Sequence, residues 1–187
     1  MHRCTGRVFL VVAAACVTCA ALVACTTAPP KPTAKLNDGE LAVPADYKAW
    51  PKFLSNVQRP DAKQVRDIYL VPGADKTKMG EAFPDGTILV MENYAAKANA
   101  DGTLVTGADG KLVKGDLMRI FVMGKGDGWA DKTPAELKNG TWIYAAYDGA
   151  GKPVADPTVN CRACHLPLAN KDFVHRYDEY FSARSSN

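Results

Sequence analysis

The residues best equipped for chemistry lie together near the end of the chain: Cys161, Arg162, Ala163, Cys164 and His165. Two thiols three positions apart, followed at once by an imidazole, make Cys-x-x-Cys-His, the attachment sequence of a c-type haem. The spacing has a chemical reason. Cys161 and Cys164 can form thioethers to the two vinyl groups on one edge of a porphyrin, and His165 is then delivered beneath the ring to bind iron as the proximal ligand. The expected cofactor is therefore one covalent haem c. Two other uses of such residues fit less well. A structural zinc site wants four nitrogen or sulfur ligands in a tetrahedron. The exported chain offers only Cys161, Cys164, His165 and His175 besides one N-terminal cysteine, and adjacent Cys164 and His165 chelate one metal poorly. A redox dithiol usually opens a helix after an early strand, whereas this pair sits close to the C-terminus.

What precedes the motif suits export. Arg3 and Arg7 lead into an apolar run over residues 8–24, interrupted only by Thr18. The run is shorter than the ~20 residues of a spanning helix and ends in small residues, which is the layout of a secretory signal. Leu22-Val23-Ala24-Cys25 resembles a bacterial lipobox. A lipoprotein signal peptide is expected over 1–24, with Cys25 as the lipid-modified first mature residue; ordinary cleavage nearby would leave Cys25 unmodified. Acyl chains hold a protein to a bilayer because each buried CH₂ contributes ~0.8 kcal/mol. The expected location is the periplasmic side, anchored to the membrane.

The cysteines are then all assigned. Of six, Cys4, Cys16 and Cys19 leave with the signal, Cys25 takes lipid, and Cys161 and Cys164 take haem. None remains for a disulfide, despite an oxidising destination. Loss of Arg3 and Arg7 lowers the formal charge from +3 to +1. With no basic stripe and no interleaved aromatics, nucleic acid is not an expected partner.

The elements that must position the motif follow from pattern. Residues 25–42 read as a flexible Pro-rich tether, stiffened by Pro29, Pro30 and Pro32, and 43–187 as the haem domain. Tyr47, Trp50, Phe53 and Leu54 have helical spacing, with Pro51 predicting a kink over 46–56. Strands are expected at 67–71, 88–96, 117–123 and 141–147. A short helix is expected over 75–81, and another over 134–138 capped by Thr133 with Glu136 as box partner. The Phe83-Pro84-Asp85-Gly86-Thr87 stretch is a turn by its own chemistry. Asp101-Gly102 and Asp109-Gly110 suggest a hairpin excursion. The class is α+β, an antiparallel β-sheet with flanking helices and the haem held by the C-terminal Cys-x-x-Cys-His segment.

Several stretches together resemble the cytochrome P-460 family: FPDGTILVMENY, GDLMRIFV, TWIYAAY, then CRACH followed by DFV. The resemblance covers most of residues 43–181. It implies a periplasmic mono-haem protein on an antiparallel sheet, commonly a homodimer, with five-coordinate iron. One branch oxidises hydroxylamine and nitric oxide; the cytochrome c′-β branch mainly binds NO or CO. The oxidising members carry a lysine joined to the haem edge, and that position falls on Met91. Lys97 lies roughly 20 Å further along an extended strand, a poor substitute. The distal carboxylate of the oxidising branch falls at Phe121, and Arg66 matches a family arginine near the haem pocket.

Three functions follow as expectations. In the first, Met91 and Phe121 line an open, apolar distal face that binds NO, CO or another small nitrogen oxide. In the second, the chain is an oxidoreductase acting on hydroxylamine or NO, or a peroxidase, although the lysine cross-link is missing. In the third, a methionine among Met79, Met91, Met118 and Met123 is a sixth ligand and the chain carries electrons to a redox partner protein. His175 is expected on the proximal side, as a structural or surface residue.

Overall fold

Five runs pair into one antiparallel sheet, in the order in which they occur: β1 (Lys52–Arg59), β2 (Gln64–Leu70), β3 (Ile88–Ala96), β4 (Lys114–Lys125) and β5 (Trp142–Asp148). Such a meander needs only short connections. Two helices follow it, α1 (Thr158–His165) and α2 (Tyr177–Ser185). The structure is a computed structural model that describes residues 34–155 and 158–185. The expected signal peptide, Cys25 and most of the expected tether lie outside those residues.

The α+β class and the antiparallel sheet are as expected, and β3 has the expected bounds. Other elements differ for physical reasons. The helix expected over 46–56 is only a 3-10 turn at Tyr47–Ala49, after which the chain becomes β1. Pro51 forces the residue before it out of helical backbone, and Trp50 is extended at φ −75°, ψ 155°. The helix expected over 75–81 is a single turn, Ala74–Lys76. Thr133 caps nothing: the turn Ala135–Leu137 starts from Pro134 without a side-chain cap. The hairpin excursion is reduced to isolated bridges, Ala98 with Leu104 and Thr106 with Leu112. Both α-helices come after the sheet in the chain.

Register fixes two faces, because side chains alternate along each strand. The back face carries Tyr69, Val90, Ile120, Val122, Ile143, Ala145 and Tyr147, packed against Leu41, Tyr47, Trp50 and Trp129. Residues 34–42 are not a loose tether end. Trp129 Nε1 donates to the Ala34 carbonyl at 3.0 Å, Ala130 N to Leu36 O at 3.0 Å, and Tyr147 OH to Leu41 O at 2.6 Å. Gly39 N donates to Tyr144 O at 2.8 Å, so this segment covers the outer edge of β5. The front face carries Leu70, Leu89, Trp142 and Tyr144, packed against Phe53, Phe83 and the C-terminal Val174, Tyr177, Tyr180 and Phe181. Phe53 and Tyr180 stack at 4.2 Å.

Two carboxylates lie buried on the back face, Asp67 and, opposite it, Glu92. Glu92 is 1 % exposed and accepts hydrogen bonds from Tyr47, Tyr69 and Tyr94 at 2.7, 3.0 and 2.7 Å. Burial alone would push its carboxyl up, but the three hydroxyls and Lys48 outweigh burial and hold it below the usual glutamate range. Replacing Glu92 by Leu strands three hydroxyls at once. The expected loss, read by urea unfolding, is roughly 3 kcal/mol, about one per hydrogen bond; a loss well under 1 kcal/mol would show that the tyrosines find other acceptors.

Candidate functional site

Cys161 and Cys164 are three apart on α1 and His165 follows, so a helix turns all three toward one side. All three line a single cavity of about 790 Å³, well within the range that holds organic cofactors. Arg162 points the other way, into the protein, where it is 2 % exposed. Its guanidinium donates to both carboxylate oxygens of Asp38 at 2.7 Å and to the carbonyls of Leu137 and Trp142 at 3.3 and 3.2 Å. Asn139 donates in turn to the Arg162 carbonyl at 3.3 Å.

His165 is oriented by a turn after α1. Its Nδ1 lies 2.6 Å from the Phe173 carbonyl. A carbonyl only accepts, so Nδ1 carries the proton and Nε2 keeps its lone pair, the arrangement usual for a metal-binding imidazole. Burial pushes the ring's pKa down to about 4, partly opposed by the Phe173 bond and helped by His175. The ring is therefore neutral at neutral pH. The carbonyl is aimed by two consecutive left-handed residues, Asp172 at φ 48° and Phe173 at φ 59°, a conformation that side chains resist. Asp172 is held there by Lys125 at 3.0 Å and by the Phe83 amide at 2.8 Å. His175 lines the same cavity, its ring edge-on to His165 at 4.6 Å, which places it beside His165 as expected. Burial is the main cause that lowers its pKa.

The sheet supplies the floor. Ile68 lies opposite Met91, and Met91 opposite Phe121. This row faces the cavity, flanked on one side by Leu89, Met123 and Tyr144 and on the other by Arg66 and Asn93. Met91, Phe121 and Arg66 are thus brought to the same cavity as Cys161, Cys164 and His165. Of the four methionines considered as ligands, Met91 and Met123 line it, whereas Met79 and Met118 are 59 % and 49 % exposed elsewhere.

The residues present fit a porphyrin. Arg66 Nε, Asn93 Oδ1 and Tyr144 OH are buried in the cavity wall without hydrogen-bond partners, and such groups usually have one. Arg66 binds Gln64 at 2.9 Å and has no carboxylate neighbour within ion-pair distance among the described residues. Desolvation, then the charges of Arg59 and Arg176, lower its pKa, so an acidic substituent would be welcome beside it. Among the described residues no group of three or more His, Cys, Asp and Glu side chains could hold a bare metal ion.

The profile of one family, Cytochrome P460, matches the chain over residues 44–176. The chain belongs to the cytochrome P460 family. That span contains every cavity residue singled out from the sequence, and it is a haem-binding family. No curated protein matches the chain.

Some site residues escaped sequence reasoning. Asn93 was within reach, since alternation from Met91 puts it on the same face; Tyr144 was hidden in a strand that reads as plain core. In the haem-free chain, the lowered His165 pKa works against stability in acid. An unfolded histidine takes its proton near 6.5, the folded ring only near 4, so stability is withdrawn as pH falls from about 6.5 toward about 4. Thermal unfolding across that window should show a falling Tm, and a shallower fall in His165→Gln.

Proposed function

We propose that this cytochrome P460 member is an exported protein with one covalent haem c, whose iron is held by His165 and stays open to NO or CO on an apolar face. The observation that carries this reading is the composition of the cavity wall. Ile68, Leu89, Met91 and Phe121 form the centre of the sheet side, with Arg66, Asn93 and Tyr144 at its margins, and among the described residues no aspartate or glutamate lines the cavity.

A haem bound there supplies an iron with a coordination position for a small ligand. The chain does the rest. Cys161 and Cys164 tie one edge of the ring to α1. The Phe173 carbonyl fixes the rotation of the His165 ring and presents Nε2 as the neutral donor. Arg66 offers its unpartnered Nε to an acidic substituent of the ring. Ile68, Met91 and Phe121 exclude water and hold no proton. NO and CO bind without needing hydrogen bonds, so an apolar wall suits them. Oxidation of hydroxylamine releases protons and needs a base to collect them, and neither Met91 nor Phe121 can do this. The same wall supports the cytochrome c′-β branch over the oxidising one. Met91 also favours a second reading, a methionine-ligated electron carrier, because it shares the cavity with His165.

We further propose that Cys25 anchors the chain to a membrane on the periplasmic side. Because Ala34 is already bonded to Trp129, the stretch from Cys25 to Ala34 can span at most roughly 30 Å when extended. The haem domain would therefore sit near the lipid surface, within reach of a redox partner there.

One spectrum of the ferrous protein tests the ligand reading. A five-coordinate, high-spin spectrum that changes on adding NO or CO is expected, with Met91→Ala leaving it unaltered. A six-coordinate, low-spin ferrous spectrum that becomes high-spin in Met91→Ala would establish the electron carrier instead.

A further inference from the structure

We propose that Asp38 is a positioning residue of the haem site that also sets the iron's reduction potential, acting through Arg162 inside the attachment sequence. The inference rests on the haem reading above. Arg162 stands between the two thioether positions in sequence, and among the described residues its guanidinium is the only charged group of the largest fully buried side chains apart from Glu92. Arginine keeps its charge at any ordinary pH. That charge is compensated by a single carboxylate, Asp38, through two hydrogen bonds of 2.7 Å. The fork-on-fork geometry is the strongest form such a pair takes.

Asp38 reaches the site by a second route. Its Oδ1 also accepts from the Tyr144 amide at 3.1 Å. The Tyr144 ring lies 5.1 Å from the His165 ring, and the Arg162 guanidinium lies 5.4 Å from the Tyr144 ring. One carboxylate thus ties α1, a helix of only eight residues, to the strand residue that packs against the expected iron ligand.

The electrostatic consequence has a definite sign. An oxidised haem carries one more positive charge than a reduced one. With Asp38 neutralised, the Arg162 charge is left uncompensated in a low-dielectric interior, where such charges act strongly. It then disfavours the oxidised state, and the potential rises. Removing Arg162 as well cancels the effect, whereas a loss of packing would not be cancelled. A shape change alone therefore predicts a different pattern from a charge effect.

The test uses the full, haem-loaded chain, with covalent haem first verified as a pyridine haemochrome. Midpoint potentials are then measured for wild type, Asp38→Asn, Asp38→Glu and the Asp38→Asn/Arg162→Gln double variant. Asp38→Asn should favour the ferrous state about tenfold, a rise of ~59 mV for one electron. Asp38→Glu should stay near wild type, and the double variant should recover at least half the shift. No rise in Asp38→Asn, or a double variant that keeps the whole shift, overturns the inference. If Asp38→Asn yields no haem-loaded protein, the double variant decides: recovered loading supports a stranded guanidinium, and no recovery overturns it. A wild-type chain without covalent haem would overturn the haem reading itself, and this inference with it.

Discussion

The register of the sheet is the constraint on which the site depends. Ile68, Met91 and Phe121 lie side by side across β2, β3 and β4, and the pairing turns all three to the front face. A slip of one residue in β3 would exchange the set, sending Val90 and Glu92 to the front and Met91 to the back. The front would then receive a carboxylate, and the tyrosines that bind it would lose their acceptor. Register is held by that same buried cluster, because Tyr47 and Tyr69 reach Glu92 only from the back face. The polar network behind the sheet and the apolar floor in front of it are two results of one alignment.

The elements that present His165 are local and strained. α1 spans eight residues, too few to be stable alone, and the turn that aims the Phe173 carbonyl uses two left-handed residues in succession. Both are held from outside: α1 by Asp38 through Arg162, and the turn by Lys125 and Phe83 through Asp172. A ligand helix pinned by distant partners can be fixed precisely in direction without a long hydrophobic face of its own.

Much of this was legible in the sequence. Cys-x-x-Cys-His announces its chemistry by spacing, and Phe83–Thr87 with the strand after it was readable from turn chemistry and β-branched residues. Met91 and Phe121 came from resemblance, and the register pairs them. What was not legible is long-range. The aromatic spacing from Tyr47 to Leu54 imitates a helix, yet Pro51 and pairing with β2 make β1 of it. Residues 34–42 follow a proline-rich stretch and read as linker, but the open edge of β5 offers them backbone partners. Nothing in the composition around Asp38 signals that its carboxylate will meet Arg162 from the far end of the chain.

The cavity, its apolar floor and a neutral imidazole with Nε2 unprotonated are the observations behind our proposal of one haem tied to α1 by two thiols. The most direct measurement is the mass of the peptide that spans Cys161 and His165, taken from the purified mature protein. The account predicts that this peptide carries one haem through two thioethers and that no other peptide carries any. An unmodified peptide, or a haem found joined to a third residue on the sheet, would contradict it.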